Sequence, residues 1–99
     1  MVFSKYLTEG RRLVILRLLS QAPEYELSDA MIQELLDRFG HNVSRDRVRT
    51  DLAWLAEQGL VTTIDVAEHV VTATVTRLGF DCAAGRHVVP GVKRPGPLG

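Results

Sequence analysis

The sequence predicts a small, mainly helical α+β domain: three helices, a two-stranded hairpin, a short fourth helix and a flexible tail. Three observations carry this. Apolar residues recur at helical spacing in three successive stretches, each preceded by a hydroxyl residue suited to capping. A Val-, Thr- and Ile-rich segment follows, broken by a polar corner. Beyond residue 86, Pro90, Gly91, Pro95, Gly96, Pro97 and Gly99 set the composition. We therefore divide the chain into a domain over 1–86 and a Pro/Gly-rich basic tail over 87–99.

The first helix is expected to start at Thr8, a cap followed by Glu9 in the positive first turn, and to end near Gln21 before Pro23. Ile15, Leu16 and Leu19 share one face, but Leu13 and Val14 point elsewhere, so this helix packs on two sides. Either the C-terminal segment or a second subunit covers the second side. A short extended piece over Tyr25–Leu27 leads to Ser28-Asp29, which caps a helix with a Met31, Ile32, Leu35, Leu36, Phe39 stripe. Gly40, with His41-Asn42, supplies the turn. Ser44 caps the third helix (44–58), whose inward stripe is Val48, Leu52 and Leu55 and whose stop is Gly59-Leu60. Two helices joined by a short glycine-containing turn form a helix-turn-helix. Leu60–Val66 and His69–Val75 then read as a hairpin around Ala67-Glu68, and Thr76 caps a short helix through Leu78, Cys82 and Ala83, closed by Gly85.

That order, with Val48, Leu52, Leu55 and Gly59-Leu60-Val61 running into a hairpin and Thr76-Arg77-Leu78-Gly79 after it, resembles the winged helix-turn-helix superfamily. The resemblance covers about residues 8 to 85. More narrowly, Tyr6-Leu7-Thr8-Glu9, Arg11–Leu16, Ser44–Leu52 and Pro90–Pro95 are similar to small winged-helix proteins of Mu-like bacteriophages and prophages. The superfamily implies a DNA-binding regulator with its third helix in the major groove.

Twelve Lys and Arg cancel twelve Asp and Glu. This excludes a histone-like polycation and an acidic disordered tail. The charges are nonetheless segregated. Five acids and no base lie between Glu24 and Asp37; Arg38, Arg45, Arg47 and Arg49 face only Asp46; and Arg86, Lys93 and Arg94 follow Asp81 with no acid. Opposite the inward stripe, the third helix presents Asp46, Arg47, Thr50, Ala53 and Trp54. Arg47 suits a bidentate contact with guanine and Thr50 a thymine methyl or a phosphate. Arg45 and Arg49 flank that face and suit phosphates, as do Ser44 and the helix N-terminus. The candidate DNA-binding residues are thus Ser44, Arg45, Asp46, Arg47, Arg49 and Thr50, with Asp46 and Asp51 weakening the local field. Trp54, Lys93 and Arg94 are candidate interaction residues, Trp54 being expected to tuck against the wing or a dimer mate.

His41, His69 and His87 lack metal-ligand spacing, no phosphate-binding or nucleophile motif occurs, and the lone Cys82 lies on an inward stripe. No enzyme, cofactor or metal site is expected. The longest apolar run, Leu13–Leu16, is too short to span a bilayer. The partners expected are double-stranded DNA and a second copy through helices 8–21 and 76–85, in the cytoplasm. Two alternatives stay open: a non-enzymatic phage accessory protein that binds a phage or host protein, motivated by the zero net charge, the acidic second helix, a wing without Lys or Arg and an exposed Trp54, and a ligand or redox sensor resting on Cys82.

Overall fold

The computed structural model describes residues 2–96. Four helices and three strands follow in the order α1 (Val2–Gln21), β1 (Glu26–Ser28), α2 (Asp29–Arg38), α3 (Arg45–Glu57), β2 (Val61–Ala67), β3 (Val70–Val75) and α4 (Arg77–Ala83), with one 3-10 turn over Pro23–Tyr25. The expected α+β winged arrangement is present, with corrections at its edges.

Helix α1 starts at Val2, not at Thr8. Val2–Leu7 contains no Pro or Gly, and adding turns to a helix already nucleated by its buried half costs little. The buried half carries Leu13, Ile15, Leu16 and Leu19, which meet Ile32 and Leu36 of α2 and Val48, Leu52 and Leu55 of α3 in one core. In α2 the inward line is Asp29, Ile32 and Leu36. Met31 and Phe39 of the expected stripe are exposed: Met31 lies a hundred degrees off that line, and Phe39 sits beyond the last helical residue.

The caps of α2 and α3 fall where expected, whereas Thr8 lies inside α1. Ser28 Oγ accepts the Met31 N–H (3.2 Å) and Ser44 Oγ the Arg47 N–H (3.1 Å). At the end of α3, Gly59 takes φ +75° and the Leu60 N–H returns to the Leu55 carbonyl at 3.0 Å, closing a Schellman turn. The hairpin turns at Glu68-His69, one residue later than expected, because Val66 is an extra residue between the Asp65–Val71 and Ala67–Val70 pairs. The expected two-stranded wing, β2–β3, is extended by a third strand: β1 pairs with β3, Leu27 opposite Ala73, giving an antiparallel sheet in the order β1-β3-β2.

The junction of α4 with α3 rests on Thr76 and Gly79. Thr76 Oγ1 accepts the Gly79 N–H (3.1 Å) and donates to the Gly59 carbonyl (2.7 Å), while the Thr76 N–H donates to the Leu60 carbonyl (3.0 Å). Gly79 passes so close that a Cβ there would lie 2.0 Å from the Leu60 carbonyl oxygen. The residues after α4 do not form a free arm over 87–96. Val89 and Val92 are buried, and the Lys93 N–H donates to the Glu9 carbonyl at 3.1 Å. Two valines amid the prolines and glycines supply the apolar contacts that dock the segment on α1. The second side of α1 is therefore covered by this chain's own α4 and tail. Pro97, Leu98 and Gly99 of the expected tail lie outside the described residues. Among those described, no helix is long and apolar enough to cross a membrane.

Gly79→Ala is expected to destabilise the fold by more than about 2 kcal/mol, since the methyl meets backbone that cannot rotate away. Thermal unfolding should show a loss of about 8–16 °C. Gly10→Ala, in an open position on α1, should instead raise stability by about 0.5–1 kcal/mol.

Candidate nucleic-acid interface

The first turns of α3 hold the three arginines singled out in the sequence, and the fold treats them differently. Positions 45 and 49 lie on one side of α3, facing α2 and the wing; 47 lies on the other. Arg49 Nε donates to Asp29 Oδ2 at 2.6 Å, and Arg45 Nε stands 3.3 Å from the same oxygen. Both guanidinium groups also donate to the His69 carbonyl at the wing turn, Arg45 at 2.7 Å. One carboxylate at the start of α2 and one carbonyl in the hairpin turn thus hold the start of α3. His69 takes φ +64° at that turn, which aims its carbonyl at the two arginines. Asp29 is fully buried; burial raises its carboxyl's proton affinity, but the hydrogen bonds from Arg49 and Arg45 outweigh this and hold it below the usual carboxylate range.

Arg47 is exposed, with no ion pair among the described residues. Ser44, Asp46 and Thr50 are exposed beside it. Thr50 Oγ1 donates to the Asp46 carbonyl one turn back (3.0 Å), which leaves its methyl and its oxygen lone pairs outward. Of the six candidates, Ser44, Asp46, Arg47 and Thr50 form one outward face, and Arg45 and Arg49 brace it from behind. The wing tip adds no cation there: Asp65, Glu68 and His69 are exposed.

Asp51 does not belong to this face. It is 1% exposed, paired with Arg11 (5% exposed) through Nε–Oδ2 at 2.5 Å, and Arg12 Nε lies 3.7 Å away. Its charge is neutralised inside the domain, so it does not weaken the field at the start of α3 as expected. Sequence reasoning missed this pair and Asp29, although helical arithmetic was a usable signal: position 51 falls between 48 and 55 on the inward stripe. His41 lies near the same charges. Burial, then the positive charge of Arg11, pushes its imidazole below the usual histidine value, with Asp51 opposing.

Trp54, expected against the wing or a dimer mate, is contacted within the chain by α1 and the tail. The Arg12 guanidinium covers its ring at 3.8 Å from the centroid, and Gly91 of the tail sits at the ring edge, where a Cβ would come within 2.5 Å of Cζ2. Cys82 is buried, which pushes its thiol up. Among the described residues no group of three or more His, Cys, Asp or Glu is placed to hold a metal.

Three helices, a hairpin wing pinned to the start of the third, and α4 locked behind it define a winged helix-turn-helix domain. The chain belongs to the family of gp26 of Escherichia phage Mu, an uncharacterised protein to which it is 52% identical over 91 residues, covering 92% of this chain and 93% of gp26. It is also 39% identical over 95 residues to an uncharacterised protein of Haemophilus influenzae strain Rd, covering 91% and 92% of the two chains. No protein-family model matches. Among solved structures, the complex structure of hsRosR-S4 is similar at a TM-score of 0.62 and 24% identity, over 74% of this chain and 62% of that one; this likeness bears on the fold.

Two outcomes follow from the buried charges. Asp29→Asn should cost about 2 kcal/mol, less than a fully buried pair because both arginines are partly solvated. Hydrogen exchange should quicken at the β2–β3 turn before it does in α1. Stability should also fall with acid in two stages. His41, with its folded value depressed, is neutral when folded and opposes folding once the unfolded chain begins to protonate below about pH 6.5. The contribution of Asp29, also depressed, is present above about pH 3.8 and lost as pH falls through its folded value. Urea titrations from pH 8 to 3 check this, and His41→Gln should remove only the first stage.

Proposed function

We propose that the chain binds double-stranded DNA through the exposed start of α3, as a sequence-specific transcriptional regulator of phage or prophage genes. The observation that carries this is the brace of Arg45 and Arg49 on Asp29 and the His69 carbonyl. It holds α3 at a set angle to the wing and leaves Arg47, Thr50 and Ser44 facing outward. Arg47 is the base reader, its fork suited to guanine O6 and N7. Thr50 contributes a methyl for thymine, and Ser44 with the free amides of the helix start receives a phosphate. Asp46 accepts from a cytosine amino group or repels other bases. Arg45 and Arg49 serve by fixing the helix, with their part-exposed edges near the backbone.

A second copy would double a small footprint. The pairing surface expected on 8–21 and 76–85 is largely occupied, since α1 and α4 pack on each other within the chain. The apolar surface left on α1 is its N-terminal end, with Phe3 69% and Tyr6 67% exposed. The exposed Phe3 side of that end is the surface left for a second copy. The same exposed residues favour the second reading, an accessory protein that binds a phage or host protein in the cytoplasm.

Fluorescence anisotropy on duplexes from the gene's own neighbourhood, with light scattering for mass, tests the first reading. Arg47→Ala should weaken cognate binding about 5- to 150-fold and relax the preference at one base pair, with the fold intact. Absence of duplex binding at about 50 mM salt, or binding indifferent to Arg47→Ala, sinks it in favour of the second.

A further inference from the structure

A duplex that receives α3 in its major groove places one phosphate strand on each side of the helix. One side of α3 is closed by α2 and the wing. On the other, Trp54 lies seven residues after Arg47, just short of two full turns, so the two share a line and stand about 10 Å apart. At Trp54 a groove of about 860 Å³ opens between the N-terminal half of α1 and the tail. Its walls carry Lys5, Arg12, Lys93 and Arg94 against one acid, Glu9. In a chain of twelve charges of each sign, this is a concentration of positive charge.

The groove is held in place. Arg12 stacks on Trp54, donates to the Gly91 carbonyl at 3.0 Å and stands near Asp51, so it ties α1, α3 and the tail together. Gly91, at φ +101° and against the Trp54 ring, admits no side chain. The Lys93 N–H is fixed on the Glu9 carbonyl. The backbone that carries the tail's two cations is therefore fixed beside α1, on the groove that Lys5 also lines. All three are exposed and make no ion pair among the described residues.

We propose that this groove takes the phosphodiester backbone of the same duplex that α3 reads, with Lys5, Lys93 and Arg94 as phosphate contacts and Arg12 as the residue that positions them. The assignment rests on the DNA-binding reading above. It adds a sequence-independent contact on the side where the wing cannot reach, and it makes the tail part of the binding surface. Ammonium and guanidinium groups on an open wall suit phosphates passing along it, which fix register without reading bases.

Salt titrations of duplex binding test it. Lys93→Ala with Arg94→Ala should lower the slope of log K against log salt by about 1.8, and adding Lys5→Ala by about 2.7 in all. Affinity should fall equally for cognate and unrelated duplexes, with base preference retained. Gly91→Ala keeps every charge but unseats the tail from Trp54, and should lower the slope comparably; a merely basic tail would not respond. If the intact chain binds duplex and these variants leave the slope unchanged, the groove assignment is overturned and the α3 reading stands. If the intact chain binds no duplex at about 50 mM salt, both fall. If a poly-glutamate peptide binds the intact chain, loses binding in the triple variant, and duplex affinity is unaffected, the groove belongs to an acidic protein segment and the proposal is overturned.

Discussion

The orientation of α3 depends on charge buried along its inner side. Asp51 has been taken out of water and is held by Arg11, with Arg12 beyond; Asp29 is likewise buried and is held by Arg45 and Arg49. Removing carboxylates from water costs several kcal/mol each, and apolar replacements of similar size often match or exceed such pairs in stability. What apolar residues cannot supply is direction. Val48, Leu52 and Leu55 would allow α3 to roll or slide by a fraction of a turn. A carboxylate within hydrogen-bond reach of a guanidinium does not, because the misplaced helix would leave both charges buried and unpaired. The outward position of Arg47 follows from that constraint.

The balance of twelve against twelve charges hides a division that only packing makes visible. Of the arginines at the start of α3, two are turned toward the acidic head of α2, and one is left outward. Asp51, counted from the sequence as a local negative charge, is cancelled by α1. The outward surface around α3 is thus more basic on its α1 side than the linear order suggests, and less basic on its wing side. The two flanks of α3 are thus unlike, with the carbonyl and carboxylate scaffold on one side and exposed cations on the other.

Much of the fold was legible because local signals and core pattern agreed. Ser28, Ser44 and Thr76 cap as their types imply; Gly59 closes a Schellman turn; and Thr76 with Gly79 has a physical reason in the 2.0 Å approach to the Leu60 carbonyl. The start of α1 was not legible, since a helix without breakers takes its end from nucleation elsewhere, and Thr8 is a cap by type but an interior residue by position. Arg45 and Arg49 carry the residue type of a phosphate contact, and nothing local reveals that Asp29, some sixteen to twenty residues earlier, claims them. The tail misled for a related reason: its composition is that of a linker, while Val89 and Val92 place it on α1 through contacts distant in the chain.

The seat of Trp54 has a practical corollary. This is the chain's single tryptophan, and its ring lies between the Arg12 cation and the backbone of Gly91. Its emission therefore comes from one defined place, the seam where first helix, third helix and chain end meet. Loss of the tail from that seam uncovers the indole edge and frees the cation above it. The protein carries an intrinsic optical gauge of whether its two ends are joined, readable without any label.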